Sequence, residues 1–330
     1  MIVNYEPKIT ILTPFPPGKN YEKMLSSLGA LDYPAEKMEV IVVEGRQPSQ
    51  QRNRGVEAAG GEIIYFLDDD CELTPDLLRK VMRHYGNPEV KAVAGIAMAK
   101  KGSPAISIAS HMVLGSVFGG CTIRVKYRPV GKLREANDKH FLLCNASIRR
   151  EVFLAEGGLR EDLYPGEENE FFRRLHAKGY AMLYDPEAVV HRNWRSTLGG
   201  YIKAIFIYGR AKVDQGFEHY QLPDYLFFIP LLFLFYLLAL PFLPCCPYRA
   251  PLALYMLLLI FFSLQETIVS RSHIGLLTFI LFPLLHLSFA AGIIWGFFSK
   301  IRPRAGKVPV TVRILKAFGE TQLSGHHTGQ

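Results

Sequence analysis

The chain has 330 residues and a formal charge of +8 at pH 7, long enough for one sizeable domain plus an attachment. Its five cysteines show no CxxC spacing, which argues against a zinc site or a disulfide framework. Its basic residues form no long tract in the first two thirds but gather at 192–212 and 300–316, on either side of the apolar segments, which points away from nucleic acid and toward anionic lipid headgroups.

The opening, MIVNYEPKITILTPF, runs directly into a strand pattern without the charged, apolar and cleavage regions of a secretory signal, so no cleaved signal is expected. Up to about residue 100, strand and helix signals alternate: KITILTPF, YEKMLSSLGAL, MEVIVVEG, SQQRNRGVEAAG, EIIYFLDDD, TPDLLRKVMRHYG, VKAVAGIAMA. Short β-rich runs alternating with amphipathic helices predict a doubly wound α/β domain, its mostly parallel sheet covered on both faces. Thr74, Pro75 and Asp76 supply a cap, a proline and an acid, which predicts a helix starting directly after three consecutive carboxylates, Asp68, Asp69 and Asp70. The acids therefore belong to a strand-to-helix loop, at the sheet edge where open α/β sheets bind ligands.

Beyond residue 100, SPAISIASHMVLGSVFGG reads as a loosely amphipathic surface near the membrane or an acceptor. A helix is predicted over 167–179, with YPG as the turn before it and Gly179 as its stop, followed by a strand in AMLYDPEAVV. Residues 196–217 mix aromatic, apolar and basic positions, as in a helix lying in a membrane interface. The last third is a different material, since residues 225–298 hold only Arg249, Glu266 and Arg271 as formal charges. Three apolar stretches there, 225–243, 251–269 and 274–298, approach or exceed the ~18 residues that cross a bilayer. The domain boundaries read as 1–195 for the α/β domain, 196–224 for the interfacial segment, 225–299 for two or three transmembrane or re-entrant helices, and 300–330 for a basic tail with a disordered end.

Two carboxylates one residue apart, Asp68 and Asp70, can bind a hard divalent cation that in turn neutralises phosphate oxygens. A diphosphate leaving group is the natural companion, because no glycine-rich phosphate loop follows the first strand. Three acids also serve simply to cap a helix and solvate a loop, so the trio alone leaves both uses open.

Five motifs, ITILTPF, VIVVEG, RNRGVEAAGGEIIYFLDDD, LCNASIRREVF and GEENEFFRRLHAKG, stand in this order over residues 7 to about 215. In order and spacing they resemble the inverting family 2 glycosyltransferases of GT-A fold, most of all the membrane-attached members that build exopolysaccharides such as succinoglycan, where HRNWRSTLGGYIKAIFIYGRAK also has a counterpart. The resemblance implies that Asp68 and Asp70 are the outer acids of a DxD motif binding Mg2+ or Mn2+, with Asp69 facing the sugar or solvent. Glu44 matches the acid that accepts from the donor's nucleobase, although Asp is commoner there. Thr13 and Pro14 match the strand end beside the nucleotide, and Arg52 or Asn53 would reach the ribose or phosphates, an exposed helix face being the other use of Arg52 and Arg54.

Glu168 matches the catalytic base, again with Glu where Asp is common, and a carboxylate at a helix start can take the acceptor hydroxyl's proton. Glu167, Glu168 and Glu170 are equally well placed to be plain helix-start acids. His191 stands as a third metal ligand, a diphosphate contact or an ordinary loop histidine. Arg192 and Arg195 would meet the diphosphate or an anionic lipid-linked acceptor. HRNWR replaces the QxxRW motif of processive members, which favours a single addition per encounter.

The resemblance thus implies an enzyme using a UDP- or GDP-sugar donor and a lipid-linked polyprenyl phosphate or diphosphate acceptor, with membrane lipids as partners and no nucleic acid. The place implied is a bacterial or archaeal cell membrane, with the catalytic domain facing the cytoplasm. Transfer directly to polyprenyl phosphate and a catalytically silent membrane scaffold are the rival readings. The basic flanks call for both ends of the apolar region on one side, which three crossings would contradict unless 225–243 or 251–269 is re-entrant.

Overall fold

The computed structural model describes residues 5–216, 222–243, 246–299 and 309–320. The chain divides into two compact units, Met1–Met98 with Arg128–Arg192 and Arg304–Gln330 in the first, and Ala99–Tyr127 with Asn193–Pro303 in the second. This differs from the division expected from sequence, because residues from 99 to 127 join the second unit and the chain returns to the first after the apolar third.

The strands of the first unit are β1 (Ile9–Phe15), β2 (Met38–Glu44), β3 (Ile63–Leu67), β4 (Glu72–Leu73), β5 (Ala92–Ala99), β6 (Arg134–Glu135), β7 (Asn145–Arg149), β8 (Met182–Arg192) and β9 (Thr311–Lys316). The α-helices of the whole chain, among the described residues, are α1 (Glu22–Gly29), α2 (Pro48–Ala58), α3 (Leu77–Met82), α4 (Ala105–Gly115), α5 (Val117–Gly120), α6 (Arg150–Ala155), α7 (Glu167–Ala177), α8 (Leu198–Asp214), α9 (Ile229–Ala239), α10 (Ala250–Ser270) and α11 (Thr278–Ser299).

The strands order as β4-β8-β5-β7-β3-β1-β2-β9, with β6 on β8. β1 pairs in parallel with β2 and β3, Phe15 lying opposite Glu44 and Ile9 opposite Ile63. The sequence predicts a mostly parallel sheet, but β7 runs antiparallel between β3 and β5, and β9 adds antiparallel to β2. Continuous apolar runs suit β1 to β3 because both faces are covered. Ile9, Ile11, Val40, Val42 and Ile63 pack on one side with Met24 and Leu28 of α1 and Leu77, Leu78, Val81 and Met82 of α3. Phe66 meets Phe153 of α6, with ring centroids 5.6 Å apart, and Phe153 meets Phe171 of α7 at 5.0 Å. Each such side chain contributes about 1.5–3 kcal/mol by leaving water.

Two local expectations need correcting. The helix predicted straight after the acids begins only at Leu77, because Glu72 and Leu73 first pair with His191 and Val190 as β4. The basic tail is not all tail: Thr311–Lys316 is β9, and Lys316, only 2% exposed, donates to the carbonyl of Met38 at 2.9 Å. Positions 300–308 and 321–330 of that segment lie outside the described residues.

In the second unit, α8 packs on α11, and Trp194, Tyr201, Ile205, Leu281, Phe282 and Leu285 share one apolar core. Asp224–Phe242, Pro247–Ser270 and His273–Ser299 are each long and apolar enough to cross a membrane, and α4 with Val117–Lys126 forms a pair bent by 70°. Leu232, Phe235, Leu238, Leu257, Phe261 and Ile268 point outward, as hydrocarbon requires and water penalises.

Candidate active site

The carboxyl ends of β1, β2 and β3 set out the site. β3 ends at Leu67 and delivers Asp68, Asp69 and Asp70. Beside them runs α2, whose start is fixed by Gln47: its side chain accepts from the Gln50 N–H at 2.6 Å, and Pro48 sits in the first turn. Gln51 anchors the same helix to the strand ends, donating to the Phe15 carbonyl at 2.9 Å and the Val43 carbonyl at 2.5 Å.

This fixes Arg52, 5% exposed, so that its guanidinium forks between two carboxylates, Nη2 to Asp68 Oδ1 at 2.9 Å and Nη1 to Glu167 Oε1 at 3.0 Å. Arg192, last residue of β8, approaches from the other side, with Nη1 at 2.8 Å from Asp68 Oδ2 and Nη2 at 3.2 Å from Asp70 Oδ1. Asp69 is paired with Lys19, from the loop after β1. Burial opposes the charge of Arg52, but Asp68 and Glu167 outweigh it and hold its pKa above the ordinary value. Burial raises the Asp70 carboxyl, with Arg192 pulling the other way.

Glu167 and Glu168 open α7, after Gly166 with φ of +112°, a conformation that glycine adopts without strain. Glu167 is 2% exposed. Burial, then the neighbouring Glu168 carboxylate, push its carboxyl up to about 8 against the pull of Arg52. Glu168, half-buried, carries no ion pair among the described residues.

At the end of β2, Glu44 Oε1 accepts from the Tyr21 hydroxyl at 2.9 Å and lies 3.2 Å from Arg313 Nε. Thr13 is buried in β1 with its hydroxyl unpartnered among the described residues, and Pro14 follows it, opposite Val43.

Other expected site residues are placed elsewhere. Asn53 is occupied structurally, donating to the Leu159 carbonyl at 2.8 Å and accepting from the Leu159 N–H at 2.9 Å, so its amide braces a loop instead of facing the acids. His191 does not complete a three-ligand metal set with Asp68 and Asp70, since no group of three His, Cys, Asp or Glu side chains suited to a metal occurs among the described residues. Arg195 belongs to the second unit, 6.0 Å from the centre of the Trp194 ring. Sequence reasoning missed Glu167 as a partner of Arg52 and read Arg313 only as one of the basic residues flanking the apolar segments; the only signal for the first was its place beside Glu168.

A parallel core with an acidic strand end and a helix-borne carboxylate facing it is a GT-A-like α/β arrangement, and the comparisons with known proteins agree. Residues 24–156 match the family model described as Glycosyl transferase family 2. Over 178 residues the chain is 24% identical to the pre-mycofactocin glycosyltransferase of Mycobacterium tuberculosis, in two strains alike. That match takes in 52% of this chain and 35% of the relative, so the chain spans about a third of the length of the curated relatives it matches. Among solved structures, the mannosyltransferase PcManGT from Pyrobaculum calidifontis, in complex with GDP-Man and Mn2+, is similar with a TM-score of 0.61 at 15% identity, over 90% of this chain and 88% of that one. That likeness establishes the GT-A fold expected from the sequence motifs.

Proposed function

We propose that the protein is a metal-dependent inverting glycosyltransferase of a membrane. It moves a sugar from a nucleotide diphosphate donor, UDP- or GDP-linked, to a lipid-linked polyprenyl phosphate or diphosphate acceptor in polysaccharide or glycoconjugate synthesis. The observation that carries the reading is the meeting of Asp68 and Asp70 on one guanidinium, Arg192, while Arg52 ties Asp68 to Glu167 beside Glu168. Two carboxylates that converge on a single cationic centre fit a divalent cation; the family match and the neighbour that holds GDP-Man and Mn2+ support the same class of donor and ion.

Asp68 and Asp70 would hold Mg2+ or Mn2+, which when bound supplies positive charge to the departing diphosphate. Glu168 takes the proton of the acceptor hydroxyl as that oxygen attacks the anomeric carbon from the side opposite the diphosphate. Arg52 and Arg192 supply fixed positive charge around the phosphates. Glu44 accepts from the nucleobase, Thr13 and Pro14 flank the nucleotide, Asp69 faces the sugar, and Arg195 meets an anionic acceptor.

The long apolar helices would bring the enzyme to an acceptor already in the bilayer, in a bacterial or archaeal cell membrane with the catalytic unit on the cytoplasmic side. The likeness to succinoglycan-type enzymes of exopolysaccharide synthesis rests on the HRNWRSTLGGYIKAIFIYGRAK stretch. A panel of UDP- and GDP-sugars, given to membranes with Mn2+ or Mg2+ and read by nucleotide release, tests the reading. Release is expected with one donor and lost in Asp70→Asn and Glu168→Gln; membranes that release nucleotide from none of them overturn it.

A further inference from the structure

β9 comes back from the far side of the apolar third to the edge of β2, where Thr311 lies opposite Glu44 and Arg313 opposite Val42. The approach is close: a Cβ on Gly45 would stand 2.9 Å from Val310 Cγ1, so a glycine at the β2 end lets the incoming chain settle there. Arg313, a third exposed, brings its Nε to 3.2 Å from Glu44 Oε1, the same oxygen that accepts from Tyr21. Among the described residues, both contacts of Glu44 fall on Oε1, and the two Nη groups of Arg313 bond to nothing. One pinned carboxylate oxygen, one open carboxylate oxygen and a pair of open guanidinium nitrogens thus stand together at the rim of the candidate site.

We infer that Arg313 is a specificity-determining residue that reads the donor's nucleobase together with Glu44. The inference rests on Glu44 being the base-binding acid of the proposed function. A carboxylate only accepts hydrogen bonds and a guanidinium only donates them. Side by side they complement a ring N–H flanked by a carbonyl, the edge that uracil and guanine present. Adenine and cytosine match less well, offering the carboxylate an exocyclic amino N–H and the guanidinium a ring nitrogen in place of the more acidic ring N–H beside a carbonyl oxygen. Arg313 also holds Glu44 in place, since the ion pair and the Tyr21 bond immobilise one oxygen while the other stays open to the ligand.

Calorimetry on the full-length protein in detergent with Mn2+, titrated with UDP, GDP, ADP, CDP and inorganic pyrophosphate, tests this. The wild type is expected to bind UDP or GDP about tenfold more tightly than ADP and CDP, the scale of one charge-assisted hydrogen bond. Arg313→Gln is expected to weaken the preferred nucleotide about tenfold and level the ranking while pyrophosphate binds as before, which loss of fold alone would not do. Should Arg313→Gln fail to fold, Arg313→Met keeps the apolar stem of the side chain and carries the same expectation. A wild type that prefers ADP or CDP, or a variant that keeps the wild-type affinities and ranking, overturns the inference. A wild type that binds none of the four nucleotides overturns the glycosyltransferase reading itself, and this inference with it.

Discussion

Arg192 reaches from the last position of β8 to Asp68, Nη1 standing 2.8 Å from Oδ2, and with its other nitrogen holds Asp70. The guanidinium therefore stands between the two acids that the proposed function assigns to a divalent cation. Arginine and cation compete for the same oxygens, so removing the guanidinium should raise the affinity for Mn2+ in the absence of donor. Arg192→Gln is expected to bind free Mn2+ about tenfold more tightly, the size of one pKa unit of interaction, and to bind the nucleoside diphosphate more weakly. Titration of Mn2+ followed by electron paramagnetic resonance reads the first effect without any turnover. An unchanged or weaker Mn2+ affinity would mean that Arg192 is not in the cation's place.

The pair of Arg52 with Glu167 is buried and 3.0 Å long. Where the Glu167 carboxyl is ionised, above about pH 8, breaking such a pair by removing one partner leaves an uncompensated charge and costs about 3–5 kcal/mol, whereas replacing both with apolar residues is often neutral. Arg52→Met should therefore lower the stability of the first unit strongly, and Arg52→Met with Glu167→Met should recover most of the loss. Urea unfolding followed by the circular dichroism of the sheet would show it, since both tryptophans, Trp194 and Trp295, lie in the second unit. A double variant as unstable as the single would instead assign the effect to loss of the Asp68 contact.

Stability should also fall with rising pH through the same residue. The Glu167 carboxyl is pushed up to about 8 by burial and by Glu168, from an ordinary value of 4.5. A carboxyl whose folded pKa exceeds its unfolded one binds its proton more tightly when folded, so its contribution is complete below the unfolded value and is lost as pH climbs through the folded one. The melting temperature of the wild type is expected to fall from about pH 4.5 to about pH 8, and Glu167→Gln, which cannot ionise, should flatten that part of the fall. Scanning fluorimetry across the range reads the difference, and parallel curves for the two proteins would count against it.

What could be read in the sequence was local. β1, β2 and β3 announce themselves as apolar runs, and α7 by its acids and by Gly179 past its end, where φ is +77°. The acidic trio at the end of β3 was legible for the same reason. β7 was not legible as an inserted antiparallel strand, because Asn145, Ser147 and Arg149 look like loop residues. Their polarity is satisfied only by distant partners, the Asn145 amide donating to the carbonyls of Ile96 and Ala188 and Arg149 donating to that of Tyr85. β9 was hidden by composition, a strand inside a basic stretch whose pairing partner lies some 270 residues earlier. For His191, the sequence could not show whether it would join Asp68 and Asp70, because that depends on how β8 pairs, and β8 brings His191 opposite Glu72.

The return of β9 constrains the path through the membrane. β2 and β9 are hydrogen-bonded neighbours, so the residues before and after the apolar third lie in one aqueous compartment, and an open sheet does not reside in hydrocarbon. An even number of crossings is expected of the chain between them, yet among the described residues it holds three helices of sufficient length, of 19, 24 and 27 residues. We predict that two of the three span, and that the third enters and leaves by the same face or lies along it. The same parity predicts that the excursion from Ala99 to Tyr127, which leaves and rejoins the first unit, does not cross singly through its pair bent by 70°. Epitope tags placed after Glu89 and after Glu320 should both be reached by antibody from the same face of sealed vesicles, in inside-out preparations only if the catalytic unit is cytoplasmic. Tags reached from opposite faces would show that β9 does not pair with β2 in the membrane-inserted protein, and the Arg313 contact to Glu44 would fall with it.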